Sequence, residues 1–370
     1  MRSRSSYPSD LTDANSDRAD ATRGYPPDSA DEANSLNQIT FRIALSVKSE
    51  LQQGRDTARW TTMGEVHQLI LREGLESARS RADTRAERQA VEAAGMILAE
   101  EVSRLGITHA GFAMTSLPHK RIEEPLWRRQ GHRTTLLVES GRTGKGGWVG
   151  VPYGSMARLI LLYLQTEAVR SNDPEVELGR SMHAWLSRMG IPAGGKNYKL
   201  VGEQARRISA CRLTFLTEIP GAELRQNGAF VQNAITLTAA TDERQRALWQ
   251  DRVRLDDGFW RSLREHPVPV REEAVRAIGA RSLALDVYIW LAYRLHALTR
   301  PVPVTWTALH GQFGAGFKAI RQLKPTFREA LTLALAVYPE AKVGEDTGGV
   351  ILHPSLPAVP RADAKRLGLG

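Results

Sequence analysis

The chain has one cysteine in 370 residues, Cys211. That excludes an internal disulfide and any cysteine-rich zinc site. No apolar run reaches the ~18 residues that a membrane span needs, and no apolar signal core follows Met1, so a cytosolic protein is expected. The nine histidines are scattered, without a His-x-His or His-x-Glu pair. There is no Walker motif. These gaps argue against relaxase, metal-hydrolase and nucleotide-hydrolase chemistry. No enzymatic activity, cofactor or metal is therefore expected. His183 and His296 lie in apolar helical stretches and read as packed side chains. Asp256 and Asp257 precede a helical stretch and read as a cap rather than a metal pair.

Acid is also short. Lys and Arg number 50 against 41 Asp and Glu, a formal charge of +9. The first forty residues run the other way, with four Arg and seven acids, so the basic excess lies wholly in the remainder. Such a balance favours a polyanionic partner. Arg greatly outnumbers Lys, which suits bidentate contact with phosphate or guanine, although a GC-rich genome gives the same bias. A hydrophobic content of 42% fits a globular chain with ample core.

The most informative stretch is KNYKLVGEQARRISACR, Lys196 to Arg212. Tyr198, Val201, Ala205 and Ile208 recur at steps of three and four and share one face of a helix. Lys196, Lys199, Arg206, Arg207 and Arg212 lie to the sides of that stripe or opposite it, against one acid, Glu203. A Gly-rich turn, Ala193 to Gly195, precedes it. A recognition helix needs this build, with an apolar face to anchor it and a cationic face for phosphates and base edges. A solvated helix face would look the same in isolation, so the surrounding order has to decide.

That order is regular. Ala157 to Val169 reads as a buried helix, Glu175 to Leu178 as a short strand and Arg180 to Gly190 as a second helix. The basic stretch is a third. Leu213 to Glu218 and Phe230 to Thr238 read as strands joined by a loop holding Pro220, Gly221, Asn227 and Gly228. The same order recurs about 120 residues later. Ser282 to Leu298 is a long apolar helix, Pro301 to Val304 is extended, and Thr305 opens a short helix. Phe317 to Tyr338 is a third helix after a turn with Gly314 and Gly316. Ala341 to Val343 and Gly349 to His353 close it. Lys318, Arg321, Lys324 and Arg328 make its first half basic. Pro325 predicts a kink or break there. Glu345 and Asp346 at the second hairpin tip would repel phosphate, so Arg225 in the first hairpin loop is the better backbone contact.

Before these units, residues 1–40 have the composition of a disordered tail. Thr62 is placed to cap a helix through Arg79. Thr84 with Glu87 forms a capping-box pattern for a helix through Leu105, with Gly106 as its stop. This helix can pack on the body or against a second copy of the chain. Leu117 to Arg121 is a basic connector. Thr134 to Glu139 and Trp148 to Val151 read as a hairpin. The GRTGKGG loop between them fails the phosphate-loop spacing and reads as a flexible basic turn that could touch a phosphate. The expected class is mainly α (α+β), with tandem winged helix-turn-helix domains and an N-terminal disordered and helical extension. The boundaries are 1–40 tail, 60–106 helical extension, 130–250 first domain, 251–280 connector, 281–356 second domain and 357–370 flexible tail.

AGFAMTSLPHKR (Ala110 to Arg121), GVPYGSMARLILLYLQTEAV (Gly150 to Val169) and VELGRSMHAWLSRMG (Val176 to Gly190) resemble RepA-type plasmid replication initiators. So do GGKNYKLVGEQARRISACRLTF (Gly194 to Phe215) and Arg281 to Phe317, over roughly residues 105–355 in all. The resemblance implies binding of double-stranded DNA at repeated sites in a plasmid origin, opening of AT-rich DNA, and recruitment of a host initiator and helicase. It also implies repression of its own gene as a homodimer and initiation as a monomer. The expected contacts are Lys196, Asn197, Lys199, Glu203, Arg206, Arg207 and Arg225 from the first unit. The second supplies Lys318, Arg321, Gln322 and Lys324. The two heads would enter successive major grooves, about 34 Å apart. The alternative is a DNA-binding transcriptional repressor without initiation activity.

Overall fold

The computed structural model describes residues 64–100, 104–219, 222–232 and 252–366. The expected 1–40 tail, the Thr62 cap, residues 233–238 of the expected second strand and the last four residues lie outside them.

The first described helices are α1 (Gly64–Glu73), α2 (Leu75–Ser80) and α3 (Arg85–Ala99). Gly74, at φ 87°, breaks the single helix expected over this stretch into α1 and α2. The capping box forms: Thr84 Oγ1 accepts from Glu87 N at 3.1 Å, and Glu87 Oε2 accepts from Thr84 N at 2.9 Å. The helix stops at Ala99, earlier than expected. Leu105–His109 is instead strand β1, followed by α4 (Ala110–Met114), and Gly106 sits in the strand rather than at a helix end. Val91 and Ala94 of α3 are fully buried within the chain.

Next come β2 (Leu126–Gln130), β3 (Thr134–Glu139), α5 (Gly154–Ser171), β4 (Glu175–Glu177), α6 (Met182–Arg188) and α7 (Gly195–Ala210). They are followed by β5 (Arg212–Ile219), β6 (Ala222–Ala229), β7 (Arg252–Arg254), α8 (Asp257–Glu265), β8 (Pro267–Arg271) and α9 (Glu272–Ile278). The chain then forms α10 (Ser282–Arg294), β9 (Val302–Thr305), α11 (Trp306–Phe313), α12 (Ile320–Ala336), β10 (Val343–Glu345), β11 (Gly349–Leu352) and α13 (Arg361–Arg366).

The helix order of each unit follows the expectation; the strand pairing refines it. In the second unit the sheet order is β10-β11-β9, so the strand between the first two helices pairs with the last strand. The first unit repeats this plan with different strands. β4 pairs with β7. Residues 230–232 lie along the other side of β7, through the Val231–Leu255 bridge and the Gln232 N to Arg254 O bond of 2.9 Å. β5, expected to pair with Phe230 to Thr238 and close this unit, instead pairs with β6 in a separate antiparallel sheet of order β2-β3-β5-β6. Asn227 and Gly228 are therefore strand residues, not loop. Trp148 does not begin a strand. It makes a single bridge to Arg142, and the hairpin partner of β3 is β2. The HPVPV segment, His266 to Val270, supplies most of β8, which pairs with β1. Its alternate residues Val268 and Val270 face inward.

Two hydrophobic cores follow. One gathers β1, β3, α5, α6, α7 and α8 around Trp185, Ile160, Val201 and Phe230. The other gathers α1, α2, α3, α10, α11 and α12 around Tyr288, Val91, Phe313 and Phe327. The helical extension thus packs on the second unit. Leu283 to Ala292 of α10 are buried without interruption, which explains a helix apolar on every side. Pro325 does not break α12, which continues across it to Ala336. After the last strand, Ala358 and Val359 are buried and α13 follows, so a flexible tail from 357 does not describe these residues.

A buried ion pair joins the first helices of the two units. Arg158 on α5 donates to both oxygens of Asp286 on α10, at 2.6 and 2.7 Å, with both side chains 6% exposed. Its remaining hydrogens reach the Gly154, Pro118 and Leu117 carbonyls. Burial pushes the Asp286 carboxyl up, and the Arg158 charge opposes that shift. Arg129 on β2 adds a second tie, donating to His310 O and Gln312 O at the end of α11.

Candidate nucleic-acid interface

Helix α7 starts directly from the Gly-rich turn, with Gly194 at its N-cap and no acid in its first turn. Val201, Ala205 and Ile208 are fully buried and fix its inner face. Gln204 Oε1 accepts from Tyr153 N at 2.9 Å, holding the helix against the start of α5. Opposite lies a stripe of Lys196, Lys199, Glu203 and Arg206, spaced three, four and three residues apart. Lys196, Lys199 and Arg206 are exposed, and no partner is described for their side chains. Two lysines at a helix N-terminus sit against the positive end of its dipole, so positive potential concentrates there.

Two expected contacts change role. Arg207 is buried, its side chain 5% exposed. It donates to Glu203 at 2.9–3.0 Å and to Val151 O at 3.1 Å, and lies over the Tyr153 ring. Arg207 is therefore a structural residue and not a free contact. Its charge neutralises Glu203, whose carboxylate also accepts from the Tyr153 hydroxyl at 3.3 Å. The exposed stripe keeps three uncompensated cations. Asn197 turns back, its amide donating to Pro192 O at 2.8 Å, and so fixes the turn into the helix.

Arg225 is not at a hairpin tip. It lies on edge strand β6 opposite Leu216, 3.6 Å from Glu223, in the sheet that does not contain β4 or β7. This removes its link to the closing strands of the first unit.

The second basic helix begins at Ile320, so Lys318 precedes it. Lys318 N donates to Gln322 Oε1 at 3.0 Å, making Gln322 a local brace. Arg321 is exposed with no described partner. Lys324 and Arg328 lie over the Trp306 ring at 5.0 and 5.6 Å. Arg328 also makes a fork with Glu345 on β10, with Nε 2.8 Å from Oε1, and the carboxylate raises the Arg328 pKa. Asp346 Oδ1 accepts from Gly348 N and Gly349 N at 2.8 Å. The two acids at this tip hold the hairpin together and tie it to α12. A cavity of about 660 Å³ opens between the turn before α12 and the start of α10, with Lys120, Arg121 and Arg281 among its lining residues. The LPHKR connector was the sequence signal for the first two.

Other expectations can be placed. Asp256 caps α8, its Oδ1 accepting from Gly258 N and Phe259 N at 3.0 and 3.1 Å. Cys211 is packed, and burial pushes its thiol up to about 12. His183 and His296 are exposed rather than packed; His183 Nδ1 lies 3.1 Å from Tyr198 Oη, and His296 Nδ1 2.9 Å from Ala292 O. Two histidines that sequence reasoning did not single out, His67 and His109, are buried; His109 Nε2 lies 2.8 Å from Ser262 Oγ. Gly111 N donates to its Nδ1, so Nε2 carries the proton and donates to the serine. Burial holds this imidazole neutral, lowered to about 3. A ring in that tautomer cannot take a proton from Ser262, so the contact lacks the polarity of a nucleophile–base pair. Among the described residues no cluster of His, Cys, Asp and Glu could hold a metal ion, and no helix is long and apolar enough to cross a membrane.

Residues 151–306, from the approach to α5 through the first residue of α11, match the family model described as plasmid encoded RepA protein. No curated protein matches the chain. Among solved structures, the crystal structure of RctB domains 2 and 3 is similar at 13% identity. It covers 65% of this chain and 93% of that one, with a TM-score of 0.40. A selenomethionine form of RctB domains 2 and 3 is similar at 12% identity, covering 68% and 97%, with a TM-score of 0.37. Over residues 151–306, the chain is similar to the family of plasmid-encoded RepA proteins.

Proposed function

We propose that this protein initiates plasmid replication by binding repeated sites in the origin through two winged-helix heads, opening adjacent DNA and recruiting the host initiator and helicase. The observation that carries the reading is the exposed stripe Lys196–Lys199–Arg206 on α7, on a helix whose opposite face is locked into the core. In the first head α5, α6 and α7 are the three helices, and β4, β7 and residues 230–232 are the strands. In the second, α10, α11 and α12 are the helices, with β9, β11 and β10 as the strands. α7 lies in the major groove and supplies the primary phosphate and base contacts. Arg321 on α12 and Lys318 just before it supply a second, weaker set.

The protein acts in the cytosol without enzymatic chemistry or a cofactor of its own. A homodimer formed on its own promoter fits the same heads. The test is a footprint of the purified chain on the DNA flanking its gene. Regularly spaced protected repeats on one face of the duplex are expected. A single palindromic site at the promoter would favour a repressor, and no protection would overturn DNA binding altogether.

A further inference from the structure

The stretch GRTGKGGWVG, residues 141–150, is not the slack turn that its composition suggests. Thr143 N donates to Gly147 O at 2.7 Å, Gly146 N to Thr143 O at 2.9 Å, and Val149 N to Gly141 O at 3.0 Å. Arg142 pairs with Trp148 across this small hairpin and donates to Gly146 O at 2.9 Å. Its base is clamped to α7. A side chain at Gly141 would collide with the Ala210 carbonyl, and one at Gly150 with the Arg207 guanidinium.

The tip is built differently. Trp148 keeps 48% of its surface in solvent, unusual for an indole that could have been buried. The Arg142 guanidinium lies over its ring, 3.9 Å from the centroid. Lys145 is exposed at the turn. Gly146, at φ 83°, is required by its backbone. Gly144 and Gly147 are not: neither has a left-handed φ, a Cβ at Gly144 meets nothing within 4 Å, and one at Gly147 meets only Thr143 Oγ1 at 3.5 Å. Internal packing does not demand glycine at these two positions. What their bare backbone provides is room for something outside the chain to come close.

A cation-backed indole, a free lysine and bare backbone together make a stacking platform for a nucleobase. Bases in a duplex hide their faces against one another, so the platform fits only an unpaired one. We propose that the Arg142–Trp148 hairpin is a binding site for single-stranded DNA, with a base stacked on the Trp148–Arg142 pair and a phosphate beside Lys145. The proposal rests on the DNA-binding reading of α7. The hairpin is anchored at Arg207 and Ala210, the C-terminal half of that helix, so the site lies next to the duplex that α7 holds. A strand freed beside the bound repeat is then captured by the same unit.

The test uses the full chain and two fluorescently labelled probes, an oligothymidylate and a duplex from the DNA flanking the gene, read by anisotropy. Trp148→Ala is expected to weaken oligothymidylate binding about tenfold while duplex affinity stays within about twofold. Trp148→Phe, which keeps an aromatic face, is expected to restore most of the loss. Retained duplex binding also shows that the variant is folded. Unchanged oligothymidylate affinity in Trp148→Ala would overturn the site, as would failure of the wild type to bind that probe. Equal loss on both probes would make the hairpin a general backbone contact and overturn stacking. Failure of the wild type to bind the duplex would reject the α7 reading, and the proposal with it.

Discussion

Helices α7 and α12 carry similar cation counts over their first turns, yet the rest of the chain treats those charges in opposite ways. On α7 the one acid of the stripe, Glu203, is neutralised from within by buried Arg207, and Lys196, Lys199 and Arg206 stand free. On α12 two of the three cations are drawn inward, with Lys324 and Arg328 over Trp306 and Arg328 forked to Glu345, while Arg321 stays exposed. Charge content does not measure capacity to bind a polyanion. The partners that each charge already has do, because a phosphate must compete with them.

The largest expected effect would remove the frame in which the heads are compared. Arg158→Ala strands Asp286 as a buried carboxylate between α5 and α10. A loss of about 3–5 kcal/mol in stability is expected from urea unfolding. A loss under about 1 kcal/mol would show that the ion pair does not join the two units.

The comparison itself is tested by salt titration. Each phosphate contact contributes roughly 0.9 to the slope of log affinity against log salt. Lys199→Ala with Arg206→Ala should lower that slope by about 2 and weaken origin binding between tenfold and a hundredfold. Lys318→Ala with Arg321→Ala should lower it by less than about 1. Equal slopes for the two double variants would erase the distinction between the heads. A narrower experiment separates neighbours on one helix. Arg207→Ala should cost about 2 kcal/mol of stability, since it unpairs Glu203 and Val151 O, and Arg207→Ala with Glu203→Gln, which leaves no bare carboxylate in the stripe, should keep the salt slope unchanged. A lowered slope with intact stability would return Arg207 to the interface.

Helix order, the capping box at Thr84 and the inner face of α7 were legible from sequence because they are local. Periodicity, a cap residue and its partner three positions on are encoded within one turn or two. Strand partners were not. Phe230 to Thr238 read as a strand pairing with Leu213 to Glu218, but of its described residues Val231 makes a single bridge, to Leu255, across residues 233–251, and nothing local links the two. β6 read as a loop for the same reason, which put Arg225 at a tip it does not occupy. Arg206 and Arg207 show the limit at a single site. They are adjacent, identical and both off the apolar stripe. Only the position of Tyr153 and the Val151 carbonyl, some fifty residues earlier in the chain, decides that one is buried and the other exposed. Pro325, the sixth residue of α12, does not end the helix, which runs on to Ala336, so the break that the proline rule favours does not form there.

The smallest expected effect sharpens the comparison most, because it converts one head toward the other. If α12 binds weakly because Glu345 holds Arg328, then Glu345→Gln should release that guanidinium. The fork between them is charge-assisted and sits at an exposed edge, with side chains 44% and 32% exposed, so its loss should change stability by no more than about 1 kcal/mol. Arg328 would then be free to meet a phosphate. Origin affinity should rise about two- to threefold, and the salt slope should steepen by about 0.9. Part of any gain could come simply from deleting a negative charge near DNA. Glu345→Gln combined with Arg328→Ala separates the two causes, since it removes the same negative charge without offering a cation. If the double variant falls back to wild-type affinity, the released arginine carries the gain. If it keeps the gain, Glu345 acts only as a repulsive charge, and the weakness of the second head lies in the placement of Lys318 ahead of its helix rather than in how its arginines are engaged.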